Sequence, residues 1–306
     1  MKTELTTTLI ARFDRLAGRR STWETHWQEV ADYMLPRKAD IVRRRSRGDK
    51  RMERIFDSSP LQALELLASS LHGMMTNPAT PWFTLRFKKL EDSNDDEAKL
   101  WLEEATEVMY TAFNRSNFQQ EIFELYHDLI TFGTAAMFVE EDEQDLLKFS
   151  TRHIDEVYVA ENQKGRIDTI FRRFHMTARA LVQKFGDNVS QDIRTMSQKN
   201  PYQEVDIIHA VYPRNEFNPK KKDKANMPFE SVYFEYKGGN ELSLSGFKEF
   251  PFVVPRYLKA SNEVYGRSPA MTALPDVKML NEMCKVTIKA AQKQVDPPLL
   301  VPDDGF

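Results

Sequence analysis

The chain has 306 residues, of which 41% are hydrophobic and 29% charged, with 11 glycines and 15 prolines. That balance excludes a collagen, a disulfide scaffold and a wholly disordered chain, and the length accommodates about two domains. The 43 Lys and Arg against 46 Asp and Glu leave a net charge of −3, so no overall cationic field advertises a nucleic-acid partner; any such contact must be local.

The first apolar residues, Leu5, Leu9, Phe13 and Leu16, recur at helical spacing up to Gly18. Ser21 and Glu24 then have the spacing of a capping box ahead of Trp23, Trp27, Val30, Ala31 and Met34, which predicts a second helix stopped by Pro36. Ser59 and Pro60 predict the start of a third helix, with Leu61, Leu64, Leu67, Leu71 and Met74 along one side. After the turn-rich 77–81, the run Trp82 to Phe87 alternates as a short strand. An acidic linker leads to two helices, about 95–113 and 118–132, each with an apolar face for a core; Gly133 ends the second.

The middle of the chain is rich in β-formers. Strands are predicted at 136–140, 146–150, 157–161 and 167–174, with a hairpin turn at Asn162 to Gly165. Thr177 caps a short helix ending at Gly186, and a weaker helix covers about 190–197. Strands resume at 205–212, 231–236, 241–245 and 252–258, with a second hairpin turn at Lys237 to Asn240. Ser268 and Pro269 open a last helix, Pro275 restarts it, and the pattern runs from Asp276 to Val295, roughly 30 Å at 1.5 Å per residue. Leu299 to Val301 is apolar and strand-like, and with no partner in what precedes it the chain reads as C-terminally truncated.

Enzyme motifs are scarce. The sequence holds no G-x-x-x-x-G-K-[ST], G-x-G-x-x-G or G-x-S-x-G. The six histidines (His26, His72, His127, His153, His175, His209) form no H-x-x-x-H pair and read as surface or locally bonded residues. Asp92, Asn94, Asp96 and Glu103 fit four positions of a calcium loop, but Glu97 stands where the turn requires glycine, so Asp95, Asp96 and Glu97 read as charges complementing a helix N-terminus. A single cysteine, Cys284, excludes an intramolecular disulfide and a site built on cysteine pairs; its apolar helical setting reads as a small buried hydrophobe. No catalytic residue, metal ligand or cofactor is assigned. Met1 to Glu4 lacks the features of a signal peptide, and apolar stretches such as Phe250 to Val254 are too short to cross a bilayer. The expected place is the cytosol or a particle assembled there.

Two cationic features remain. Between Arg37 and Arg54 lie nine basic residues, Arg37, Lys38, Arg43, Arg44, Arg45, Arg47, Lys50, Arg51 and Arg54, against three acidic ones. Such a block either contacts phosphate in a salt-dependent way or forms a solvated loop paired with acidic neighbours such as Glu140 to Glu143; charge alone favours the loop. The last helix carries Lys278, Lys285, Lys289 and Lys293 along one side. On one helix that is a wet face, whereas repeated around a ring it lines a channel or its outside.

Several segments together resemble the head-to-tail connector, or portal, proteins of short-tailed bacteriophages. They are Leu67-Ala68-Ser69-Ser70-Leu71-His72-Gly73-Met74-Met75-Thr76-Asn77-Pro78 followed by Trp82-Phe83; Asp128 to Met137; Val264-Tyr265-Gly266-Arg267-Ser268-Pro269-Ala270; Leu274 to Lys278; and Val295 to Val301. The resemblance spans nearly the whole chain. It implies an α+β, portal-type fold: a mostly helical wing part (1–135), a β-rich wing part (136–265), a stem helix (266–296) and the start of a clip (297–306). It further implies a ring at one capsid vertex of the virion, a dodecamer, through which double-stranded DNA passes for packaging and ejection. Terminase, tail adaptor proteins and the major capsid protein would be its partners, and no membrane is involved. The return stem helix, tunnel loop and crown of the family are missing. On this reading the protein is no enzyme, and Lys285, Lys289 and Lys293 face the channel. The block Arg43, Arg44, Arg45, Arg47, Lys50 and Arg51 contacts a neighbouring subunit's acidic block, such as 92–107, or phosphate. Two other readings compete with this one. One is a monomeric nucleic-acid-binding module using residues 37–54; the other is an enzyme with a dispersed carboxylate pair such as Glu103 and Glu107.

Overall fold

The computed structural model of the protein describes residues 3–43, 48–88, 96–218, 221 and 223–297. It is an α+β fold with helices α1 (Glu4–Met34), α2 (Ser59–Met75), α3 (Asp96–Arg115) and α4 (Phe118–Phe132) ahead of a β-rich middle. Strands β1 (Ala136–Asp142), β2 (Leu146–Arg152), β3 (Val157–Glu161) and β4 (Ile167–Thr177) are followed by α5 (Ala178–Phe185) and α6 (Gln191–Lys199). Then come β5 (Glu204–Pro213), β6 (Phe229–Glu235), β7 (Glu241–Phe247), β8 (Phe252–Val253) and α7 (Pro269–Val295). The strands form a three-stranded sheet, β2-β1-β8, and an antiparallel five-stranded sheet, β3-β4-β5-β6-β7.

Alternation along β5 sends its side chains to the two faces of the large sheet, where they join three cores. Ile208, Ala210 and Tyr212 join Leu9 and Phe13 of α1 on one face of the large sheet. On the other face, Val211 belongs to the main core with the small sheet, α4 and the second half of α1. Ile207 belongs to a third core under α5 and α6. His209 lies between Val211 and Ile207 on that same face, 2% exposed, its ring stacked on Tyr233 at 3.9 Å and its Nε2 bonded to Ser231 Oγ at 2.9 Å.

Burial, reinforced by the cations Arg172, Lys184 and Arg152, holds the His209 imidazole well below its ordinary value of 6.5. In the unfolded chain the group binds a proton below about pH 6.5 that the folded chain refuses, so stability falls as the pH drops through that range. The expected slope is about 1.4 kcal/mol per pH unit for one proton. Urea unfolding between about pH 7.5 and 5 checks this. His209→Asn should lose up to one proton's worth of the slope, and an unchanged slope would refute the assignment.

Several sequence expectations are corrected. The first two predicted helices are one, α1. Ser21 Oγ donates back to the Gly18 carbonyl, and Glu24 bonds Arg20 at 2.9 Å instead of closing a capping box, so Gly18 is carried inside the helix at a cost of about 1 kcal/mol. At α2 the N-cap is Ser58 and Ser59 is already helical. Trp82 to Phe87 is not a strand of either sheet. Its N–H groups at Trp82 and Phe83 donate to Tyr110 Oη, and that of Leu85 to Thr106 Oγ1, so side chains of α3 replace a partner strand. The outer face of α3, with Leu100, Trp101 and Val108, is exposed rather than turned to a core. Phe252 to Leu258 pairs only at Phe252–Val253 because Pro251 and Pro255 cannot donate; beyond it single bridges join Thr134 to Arg256 and Leu258 to Arg267. Helix α7 is continuous through Pro275, and Cys284 on it is half-buried rather than buried.

Candidate nucleic-acid interface

The basic segment is tied down at both ends by side-chain amides, one from α1 and one from α7. Gln28, 4% exposed, accepts from the backbone N–H groups of Ile41, Val42 and Arg43 through Oε1 and donates to the Ala39 carbonyl at 2.6 Å. Asn281 accepts from Phe56 N at 2.7 Å and donates to the Arg54 carbonyl at 3.0 Å. The loop therefore leaves α1 and returns to α7 one helical turn before Lys285. Neither amide carries a sequence signal of its own: only the fold brings residue 28 to 41–43, or residue 281 to 54–56.

The cations of this loop are largely committed to acidic groups. Arg37 pairs with Glu124 at 2.9 Å, Lys38 with Glu124 at 2.6 Å and Asp128 at 2.5 Å, and Arg51 with Asp40 at 2.5 Å. Arg43 pairs with Asp32. These partners come from α1, α4 and the loop itself, not from the expected Glu140 to Glu143. Asp128 is buried, which pushes its carboxyl upward against the pull of the Lys38 ammonium. At Glu124, burial acts upward too, but Lys38 and Arg37 outweigh it and hold the carboxyl low. Lys50 is exposed. Arg44, Arg45 and Arg47 lie outside the described residues, as do Asp92 and Asn94 of the calcium-loop pattern. Asp96 is bonded to Lys99 at 2.9 Å, and no cluster of three metal-ligating side chains occurs among the described residues. Glu103 and Glu107 are both exposed on α3.

Helix α7 is rooted by a close backbone crossing. Gly133, at φ 75°, ends α4 in the left-handed region, and its carbonyl accepts from Tyr257 N at 2.9 Å. Thr134 Oγ1 accepts from Gly266 N at 2.8 Å, Ser268 Oγ donates to the Thr131 carbonyl at 2.8 Å, and the same oxygen caps α7 by accepting from Met271 N. Ala270, Met271 and Leu274 then bury against the main core, and Lys278 pairs with Glu29 of α1 at 2.5 Å. Past Asn281 the helix has no buried residue. Lys285 is paired with Glu282 on its own helix at 2.9 Å, and Lys289 and Lys293 are exposed. Met283, Val286, Ile288 and Val295 are exposed as well, so roughly 20 Å of helix at 1.5 Å per residue projects with both apolar and cationic sides uncovered. Among the described residues no helix is long and apolar enough to cross a membrane.

The geometry defines a two-sheet α+β body from which one helix, flanked by a pinned basic loop, projects. The family model for bacteriophage head to tail connecting proteins matches residues 6–306, and the chain belongs to that family. It is 34% identical over 300 residues to a probable portal protein of Bordetella phage BPP-1 and 35% identical to a portal protein of Salmonella phage epsilon15. Each match covers 96% of this chain and 54% of the relative, so the chain spans about half the length of the curated relatives it matches.

Proposed function

We propose that the chain acts as a portal subunit: a closed ring of copies, twelve on the family pattern, set at one capsid vertex of the virion. Double-stranded DNA would pass through it during packaging and ejection. The observation that carries this reading is the projecting part of α7. A lone helix with apolar residues on several sides is poorly stable in water, and neighbouring copies arranged around an axis would cover those sides while leaving a lysine stripe for the lumen. In this reading residues 1–135 and 136–265 make the wing, 266–296 the first stem helix and 297–306 the start of the clip. Lys285, Lys289 and Lys293 face the channel. Terminase, tail adaptor proteins and the major capsid protein are the partners, and the role is structural rather than enzymatic.

DNA that must slide calls for few, sequence-independent contacts, which suits a subunit in which Arg37, Lys38, Arg43 and Arg51 of the loop are already paired within the chain. A monomeric module that grips DNA through residues 37–54 would want those cations free. Mass measurement and electron microscopy of the full-length protein separate the two. Rings are expected, with assembly weakened when Met283 and Ile288 are both changed to Asp. A monomer that binds duplex DNA tightly and salt-dependently would overturn the portal reading.

A further inference from the structure

Arg172 on β4, His209 on β5 and Tyr233 on β6 stand side by side in register across three neighbouring strands. They mark the seam between the main core and the core under α5 and α6, and three cations converge on it. The Arg172 guanidinium lies over Phe174 at 4.0 Å, the Lys184 ammonium of α5 over Tyr233 at 4.9 Å, and the guanidinium of Arg152, from the end of β2, lies 5.7 Å from the Phe138 ring centre. Phe138 in turn packs on His209 at 5.9 Å, closing the circle of rings beneath the cations.

The counter-charges do not match. Glu156 is taken by Arg172 at 2.7 Å, and Glu140 lies 3.5 Å from Lys148. Among the described residues neither Arg152 nor Lys184 has an ion pair, and Arg152 Nε is buried with no hydrogen-bond partner. Four cations thus face two carboxylates. Burial and mutual repulsion lower the proton affinity of both Arg152 and Lys184, although Glu140 acts in the opposite sense on each. Charges removed from water without a partner are costly, and a folded protein keeps such a group where something else supplies the opposite charge.

We propose that Arg152, Arg172 and Lys184 form a binding site for one phosphate group, free or carried on a nucleic-acid strand. The excess of two positive charges equals the charge of a free or terminal phosphate dianion and exceeds the single charge of a carboxylate or of one internal phosphodiester of a strand. Two guanidinium forks and one ammonium also suit a tetrahedral group with several acceptor oxygens. Lys184 is the solvent-facing member through which the ligand enters, and the rings of Tyr233, Phe138 and Phe174 form an aromatic floor beneath the cations. The site uses no residue of α7 or of the loop 37–54, so it stands or falls independently of the ring reading.

The test is thermal unfolding of the full-length protein in inorganic phosphate against chloride of equal ionic strength. Phosphate is expected to raise Tm by several degrees in a saturable way. Arg152→Gln should leave Tm in chloride unchanged or raised, because it removes a repelled cation, and should abolish the phosphate response. Lys184→Gln, at an exposed position, should weaken phosphate binding about tenfold while leaving the fold intact. It carries the test if the Arg152 variant does not fold. A short duplex DNA distinguishes the sources: DNA binding reduced by Lys184→Gln and competed by phosphate points to a nucleic-acid phosphate, and DNA binding indifferent to both points to free phosphate. No phosphate response in the parent protein, or a response unchanged in the variants, would overturn the proposal.

Discussion

Gly266→Ala should abolish cooperative folding of the main core or lower its stability by on the order of 4 kcal/mol. A Cβ at this position would meet the Gly133 carbonyl carbon at 3.2 Å, with the carbonyl oxygen nearer still and Arg256 Cβ at 3.0 Å. The obstacle is backbone on one side and the Cβ of Arg256 on the other, so no rotamer change relieves it. The reciprocal change, Gly133→Ala, places its methyl 2.6 Å from the Gly266 carbonyl carbon and 2.7 Å from that of Arg267, and it adds the penalty of a left-handed φ for a residue with a side chain. Separating the two chains would pull apart the bonds from Gly266 N to Thr134 Oγ1 and from Ser268 Oγ to the Thr131 carbonyl, and with them the root of α7. Urea unfolding followed by circular dichroism measures the effect. A Gly266→Ala protein within about 1 kcal/mol of the parent would show that the crossing has room to open.

Arg20→Met is the second large effect, with an expected loss of about 3–5 kcal/mol. Arg20 is 2% exposed and sits where α1 passes the start of edge strand β3. Its guanidinium donates to the carbonyls of Ile154 at 2.9 Å, Val157 at 2.6 Å and Asp155 at 2.7 Å, bonds Glu24 and lies over the Tyr158 ring at 3.6 Å. Methionine fills similar space but takes a donor from each of those carbonyls, at about 1–3 kcal/mol for each one left unpaired, while the Ile154 carbonyl keeps the Val157 N–H. Arg20→Lys should recover only part of the loss, since one ammonium cannot reproduce the planar fork. Hydrogen exchange localises the effect: the amides of β3 and the turn before it should lose protection first. Equal stability of the methionine variant would mean that water replaces the guanidinium.

The elements were legible wherever local chemistry decides. The span 157–161 is β3 as read, Thr177 and Gly186 bracket α5 as read, and both hairpin turns join the strands expected of them. The misreadings share one cause, a local signal outweighed by a distant partner. Gly18 and Ser21 spell a helix boundary, yet α1 continues across it, with Arg20 bonded to the carbonyls of Ile154 and Val157. Trp82 to Phe87 alternates like a strand, yet Tyr110 and Thr106 occupy its hydrogen-bonding edge. The cationic block was visible as charge, but its partners Asp32, Glu124 and Asp128 are scattered in sequence and meet it only in the fold.

The sequence by itself determined the family, the α+β order of elements and the presence of a long C-terminal helix, because periodicity, caps, turn residues and motif order are properties of short segments. Tertiary structure alone decided that Gly133 and Gly266 cross, that Gln28 and Asn281 fasten the basic loop, and that α7 leaves the body after Asn281. It also decided that three cations gather around His209 without enough carboxylates. Each of these depends on contacts between residues far apart in the chain, and their energies come from burial and close approach, which no short window of sequence records.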